Sequence, residues 1–333
     1  MLNFFKYSLL AVIALLIGCS DEPLNSPYNK SNSDNIFYSS FQERPKHLDP
    51  ARSYSSNEYA FIAQIYEPLF QYHYLKKPYE LIPLTAKEMP SIQYLDNNFK
   101  ETKNKKNAYY TKYTLKIKKG ILYQNHPAFY KDNNNFPYHN LSRTQLNSIN
   151  KLKDFQYRST RELISDDYIY QIKRLADYKN HSPISGVMQE YILGFSEYKN
   201  KINAFKKNNQ KYKNKFILGN EISGVKKIDN YSFSITLKKS YPQFKYWLAM
   251  PFFSPMAWEV DLFYQQDGLQ KKNITLNWFP VGTGPFKLTE NNPNLRMVLE
   301  RNKNFRGEVY PSTLDKIVNR KLESFNKAMV IPY

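Results

Sequence analysis

Apolar residues recur at helical spacing over residues 57–71, where Tyr59, Ile62, Ala63, Tyr66 and Phe70 share one face behind Ser55, Ser56 and Asn57 as candidate caps. The short β-type run of residues 36–38 precedes it, so this part of the chain predicts a strand, loop and helix in succession. Between residues 110 and 118, Tyr113, Leu115 and Ile117 alternate with polar positions ahead of Gly120, which predicts a strand ending in a turn. Ser165, Asp166 and Asp167 stand as caps before residues 168–177, whose Ile169, Ile172, Leu175 and Ala176 form one helical face. Residues 186–206 continue in helical pattern, and the Lys, Asn and Gln of residues 206–215 predict a polar loop. Alternation over residues 225–237 about Asp229 and Asn230 predicts a β-hairpin. Residues 242–249 predict a short apolar helix, and residues 296–301 and 314–322 predict strands. No internal repeat is evident, and the interleaving of helices and strands places the chain in the mixed α/β class.

The N-terminus has a different texture. Lys6 precedes an apolar run over residues 9–17, too short to span a bilayer but suited to the core of an export signal. The run ends in Leu16, Ile17, Gly18 and Cys19, which resembles the bacterial lipoprotein box, so Cys19 is expected to carry the lipid after removal of residues 1–18. That use accounts for the only cysteine, which by itself excludes an intrachain disulfide, a cysteine-ligated zinc site and a redox pair. Residues 19–35, rich in Ser, Asn, Asp and Pro, then read as a flexible tether. The expected location is periplasmic and anchored to a membrane by lipid, with Ser20 directing the anchor to an outer membrane where the cell has one.

With 333 residues and 41% hydrophobic content the chain is long enough to bury a sizeable core. Its net charge of +19 comes from 48 Lys and Arg against 29 Asp and Glu, but the lysines are spread among Asn and Tyr along the whole sequence and accompany no nucleic-acid-binding motif. No nucleic-acid partner is expected. The five histidines, His47, His73, His126, His139 and His181, lack metal-ligand spacing, and there is no Gly-x-Ser-x-Gly elbow or phosphate-binding loop. Asp166 and Asp167 are adjacent carboxylates at a helix start, where capping explains them. The sequence therefore predicts no enzyme, no cofactor and no metal.

Six short motifs occur in order: Leu48-Asp49-Pro50; Tyr66-Glu67-Pro68-Leu69; Lys119-Gly120; Ser165-Asp166-Asp167-Tyr168 with Arg174-Leu175-Ala176; Pro280-Val281-Gly282-Thr283-Gly284-Pro285-Phe286; and Leu299-Glu300-Arg301-Asn302. Together they resemble the family 5 extracellular solute-binding proteins, the peptide and oligopeptide receptors of ABC importers. The resemblance implies a periplasmic-binding-protein-like (type II) two-lobed α/β fold that closes on a peptide by hinge motion. It implies an ABC transporter permease as partner. Residues 36–312 would form the first lobe, and residues 313–333, with Leu314-Asp315-Lys316-Ile317-Val318, would cross toward a second lobe that lies almost wholly outside this chain. A separate polypeptide supplying that lobe is then a further expected partner; the alternative is a surface lipoprotein that kept a receptor lobe without autonomous ligand binding.

The same resemblance turns the loop holding Ser55, Ser56, Asn57 and Glu58 toward the cleft, and brings the turn at Thr283 and Gly284 near the ligand. Glu58 has two readings: a carboxylate pairing with a ligand cation, or a first-turn helix residue interacting favourably with the macrodipole. Gly282 and Gly284 likewise suit either ligand approach or a tight turn before the next strand.

Overall fold

The computed structural model describes residues 36–308 apart from 104, 106–107, 209–216 and 293. Two compact units divide the chain, residues 1–42 and residues 43–333. In the first unit, the described residues 36–42 are exposed and form no strand, contrary to the β-type reading of Ile36, Phe37 and Tyr38; these apolar side chains face solvent instead of a sheet. The signal segment, Cys19 and the tether, the polar loop beyond residue 208, and the crossover at residues 313–333 lie outside the described residues.

The second unit is built on a four-stranded antiparallel sheet of β3 (Ser91–Leu95), β4 (Tyr110–Lys116), β5 (Val225–Asp229) and β6 (Ser232–Leu237), in the order β3-β4-β6-β5. The alternation that predicted β4 is the alternation that buries it. Thr111, Tyr113 and Leu115 face the core, and Tyr113 stands opposite Ile235 while Leu115 stands opposite Phe233. β5 and β6 form the expected hairpin, joined at Asp229 and Ser232 with a bulge. Two smaller antiparallel pairs complete the strands: β1 (Phe70–Tyr72) with β2 (Leu81–Pro83), and β7 (Phe286–Asn292) with β8 (Arg296–Arg301).

Helix α1 (Ser56–Ile65) begins where the caps predicted but stops six residues before the expected end. Tyr66 turns extended, and Phe70, which fits the helical stripe, enters β1 instead. Pro68 explains the stop, since it has no amide hydrogen to donate and drives the residue before it out of helical backbone. Helix α2 (Ser165–Leu175) carries the most one-sided apolar face and packs on β5 and β6, with Tyr168 stacked on Phe233 at 5.7 Å. Only Asp167 of the three predicted caps serves that role, accepting from the Ile164 amide at 3.1 Å; Ser165 is inside the helix and donates to Asp229 O, and Asp166 pairs with Lys227.

The single helix expected over residues 186–206 is two, α3 (Ser185–Tyr191) and α4 (Phe195–Asn208). Between them Ile192 bridges to Leu237 and the Leu193 amide donates to Thr236 O, so the chain leaves the helix to extend the sheet. Gly194 makes the return possible: its φ is +77°, and a Cβ there would lie 2.0 Å from Ser223 Oγ. The short helix α5 (Phe244–Trp247) follows the sheet and inserts Phe244 between Tyr113 and Phe253, at 5.3 and 5.9 Å. Among the described residues, no helix is long and apolar enough to cross a membrane.

Candidate functional site

A cleft of about 1490 Å³ opens between the N-terminal half of α1, strand β1 with its following loop, and the segment from Tyr241 through α5 to Ser254. Eight of the described residues lining it are tyrosines. Five of them keep much of their ring surface in solvent: Tyr54 at 76%, Tyr79 at 71%, Tyr59 at 54%, Tyr72 at 46% and Tyr246 at 38%. Three of them form a contacting set. Tyr72 stacks beside Tyr246 at 6.3 Å and meets Tyr79 edge-on at 6.0 Å, and Tyr54 leans on Phe252 at 6.3 Å. Burial, with the neighbouring Tyr72 hydroxyl, raises the Tyr59 phenol; burial and Tyr246 raise that of Tyr72, so both hydroxyls remain neutral donors at physiological pH. Trp247 adds an indole whose Nε1 donates to the Tyr241 hydroxyl at 3.2 Å.

Of the residues singled out from sequence, Ser55 and Ser56 line this cleft. Asn57 does not; its Nδ2 donates to the carbonyls of Glu43 and Arg44. Glu58 is buried and turned into its own loop. Oε1 accepts from the amides of Lys46 and His47 at 3.1 and 2.7 Å, and Oε2 accepts from the Ser53 hydroxyl and the amides of Tyr54 and Ser55. These bonds fold the segment before α1 over the helix start, and the bond to the Ser55 amide is the reach-back of a capping Glu. Both oxygens of Glu58 are thus engaged by donors from residues 46–55.

A pH-dependent prediction follows for Glu58. Burial pushes its pKa up, but the donors from His47, Tyr54, Ser53 and Ser55 outweigh burial and hold it below the usual carboxylate value. A depressed folded pKa stabilises the fold above the unfolded pKa and is lost as pH falls through the folded one. Glu58→Gln presents an amide to N–H donors and should cost about 1–3 kcal/mol at pH 7. Denaturant midpoints of the two proteins should converge as the pH is lowered through the acid range.

Thr283 and Gly284 sit behind the cleft wall. Thr283 is buried and donates to Glu67 Oε2 at 2.8 Å; Arg306 grips the same carboxylate at 2.8 Å on each oxygen. Burial raises the Glu67 pKa, and Arg306 and Thr283 oppose that rise. Gly284 donates its amide to Ile65 O at 2.8 Å, and its carbonyl accepts from Asn302 Nδ2. Neither Gly282 nor Gly284 takes positive φ; a Cβ at Gly282 would lie 1.9 Å from Ile65 O, and one at Gly284 2.6 Å from Gln64 O. What both positions require is close approach of backbone to the end of α1.

The buried ionic chemistry elsewhere is structural in the same sense. Arg174 forks onto Asp49 at 3.0 and 2.7 Å and lies 3.6 Å from Asp261, whose other oxygen accepts from the Tyr170 hydroxyl. Arg161 bridges Asp167 and Glu259, with its guanidinium 5.2 Å from the centroid of Tyr123. Among the described residues, no group of His, Cys, Asp and Glu is arranged to hold a metal ion.

The family model for bacterial extracellular solute-binding proteins, family 5, middle region, matches residues 80–328. The chain belongs to this family. Its mixed α/β fold is periplasmic-binding-protein-like, of type II. Solved structures similar to it include the periplasmic binding protein DppA from Helicobacter pylori in complex with the peptide STSA, 18% identical with a TM-score of 0.48 over 80% of this chain and 39% of that one. The murein tripeptide binding protein MppA of Escherichia coli is 16% identical, with a TM-score of 0.49 over 80% and 38%. An oligopeptide ABC transporter substrate-binding domain from Bacillus anthracis is 16% identical, with a TM-score of 0.48 over 80% and 38%. The chain spans about two fifths of the length of these structures. No curated relative matches it.

Proposed function

We propose that this chain supplies the peptide-binding wall of an ABC-importer receptor, held at the cell envelope through lipid on Cys19, with the 1490 Å³ tyrosine-lined cleft as its ligand site. The observation that carries the reading is the convergence of partly exposed aromatic rings on one concavity in a member of a solute-binding family. Tyrosine offers a peptide a broad apolar face and a polar tip while ordering few torsions, which suits a ligand presenting both backbone and side chains. Ser55 and Ser56, at the mouth, supply hydroxyls to a peptide main chain. A second lobe, covalent or separate, would enclose the ligand and withdraw it from water, and the transporter permease would receive it.

Trp247 makes the proposal testable. It lines the cleft, whereas Trp258 and Trp278 do not. Titrating the purified chain with short peptides should change the tryptophan emission saturably, and Trp247→Phe should abolish that change while calorimetric heats persist. Peptides that evoke neither heat nor emission change would favour the alternative of a surface lipoprotein without ligand binding. The anchor has its own test: mass spectrometry of the native protein should find an acylated N-terminus at Cys19, and an unmodified Met1 on a soluble cytoplasmic pool would overturn that part.

A further inference from the structure

The charge of the cleft departs from that of the chain around it. In a protein of net charge +19 with 48 Lys and Arg, the described residues lining the cleft include neither Lys nor Arg. Resting on the peptide-receptor reading, we infer that the cleft selects peptides by their aromatic side chains and discriminates against acidic ones.

The physical argument has two sides. An acidic side chain entering the cleft loses hydration and meets neither Lys nor Arg among the described lining residues, where His73 already accepts from the amides of Leu75 and Lys76 through Nδ1, and an unpaired carboxylate is costly to desolvate. The carboxylates among the described lining residues are Glu308 and Glu67, the latter already held by Arg306 and Thr283. Arg306, behind the wall, is committed to Glu67, and Lys118 donates its Nζ to Leu84 O. Lys245 lies against the ring of Tyr246, 5.1 Å from its centroid, and is not a lining residue. Glu308 accepts from Gln71, which holds an acidic side chain and not a basic one at this end of the cleft. Aromatic side chains fare differently. Tyr59, Tyr72, Tyr79 and Tyr246 leave ring surface unburied, and an incoming ring can add to them by the offset or edge-on contacts that Tyr72 already makes with Tyr246 and Tyr79.

The test uses the full chain and four C-terminally amidated tetrapeptides that differ only at the two central positions, which carry tyrosine, serine, lysine or glutamate. Calorimetry should rank the tyrosine peptide about tenfold tighter than the serine peptide and the glutamate peptide weakest of the four. The double variant Tyr59→Ala with Tyr246→Ala, checked for its fold by circular dichroism, should bring the tyrosine peptide down to the serine peptide's affinity. Tyr109→Ala, an exposed tyrosine outside the cleft, should leave the ranking in place. Equal affinity for all four peptides, or a glutamate peptide as tight as the tyrosine one, would overturn the inference and leave peptide binding standing. Binding of none would overturn the peptide reading and this inference with it.

Discussion

Arg174→Ala should lower the stability of the chain by about 3–5 kcal/mol, the range for removing one member of a buried ion pair. The guanidinium is 2% exposed, forks onto both oxygens of Asp49, donates to Gln171 Oε1 and lies near Asp261. Removing it leaves Asp49 and Asp261 as buried carboxylates without that counter-charge. Burying charge that has lost its partner is what makes the loss large, since an unpaired carboxylate is costly to hold away from water. Arg174→Lys keeps the charge but loses the fork, so it should recover only part of the loss. Urea denaturation measures all of this; an Arg174→Met variant as stable as the parent would show that the packing volume of Arg174, and not its charge, holds the segment.

Arg174 and Asp49 are also two of the residues by which the family is legible in the sequence, and their pairing shows what the motifs encode. The first motif meets the fourth through Arg174 and Asp49. Tyr66-Glu67-Pro68 meets the glycine motif through Thr283 and Glu67, and that motif meets the last through Asn302 and Gly284. Tyr168 bonds Thr85 at 2.5 Å, tying α2 to the segment after β2. The motifs are the ties between distant segments, so they announce the scaffold. The exposed rings that face the cleft, Tyr54, Tyr59, Tyr72, Tyr79 and Tyr246, all fall outside these short motifs and look in sequence like five among 29 tyrosines.

Secondary structure was legible where one face of an element is buried and the other wet, as in β4, α2 and the β5–β6 hairpin. It failed where tertiary pairing overrides a local pattern. Ile192 and Leu193 fit a continuing helix, yet they join the end of β6, and the extent of β7 is set by the pairing of Phe286, Leu288 and Glu290 across to β8. Glu58 illustrates the same limit at the site. Its position after three cap-forming residues was visible, but the sequence does not show that the amides of Lys46 and His47, more than ten residues upstream, fold back to saturate it.

Gly282→Ala carries the second large expected effect, because the added methyl would strike backbone and not a movable side chain. The Cβ would lie 1.9 Å from Ile65 O and 2.7 Å from Ile65 C, where α1 ends and the chain turns toward β1. Relief requires the turn at residues 280–285 to move away from α1, which would strain the Gly284 amide bond to Ile65 O and the Thr283 bond to Glu67. A loss of about 3 kcal/mol or more is expected, at the upper end for overpacking a core. Two other glycines separate this mechanism from a general intolerance of alanine. Gly120 has open space around its Cβ position but φ of +79°, so Gly120→Ala should cost about 1–2 kcal/mol through backbone strain alone. Gly186, inside α3 with open space and no positive φ, should gain up to about 1 kcal/mol on conversion to alanine. Denaturant midpoints for the three variants should fall in that order, with Gly282→Ala far below the others; a mild loss there would mean that the close approach of the glycine motif to α1 does not hold the cleft wall in place.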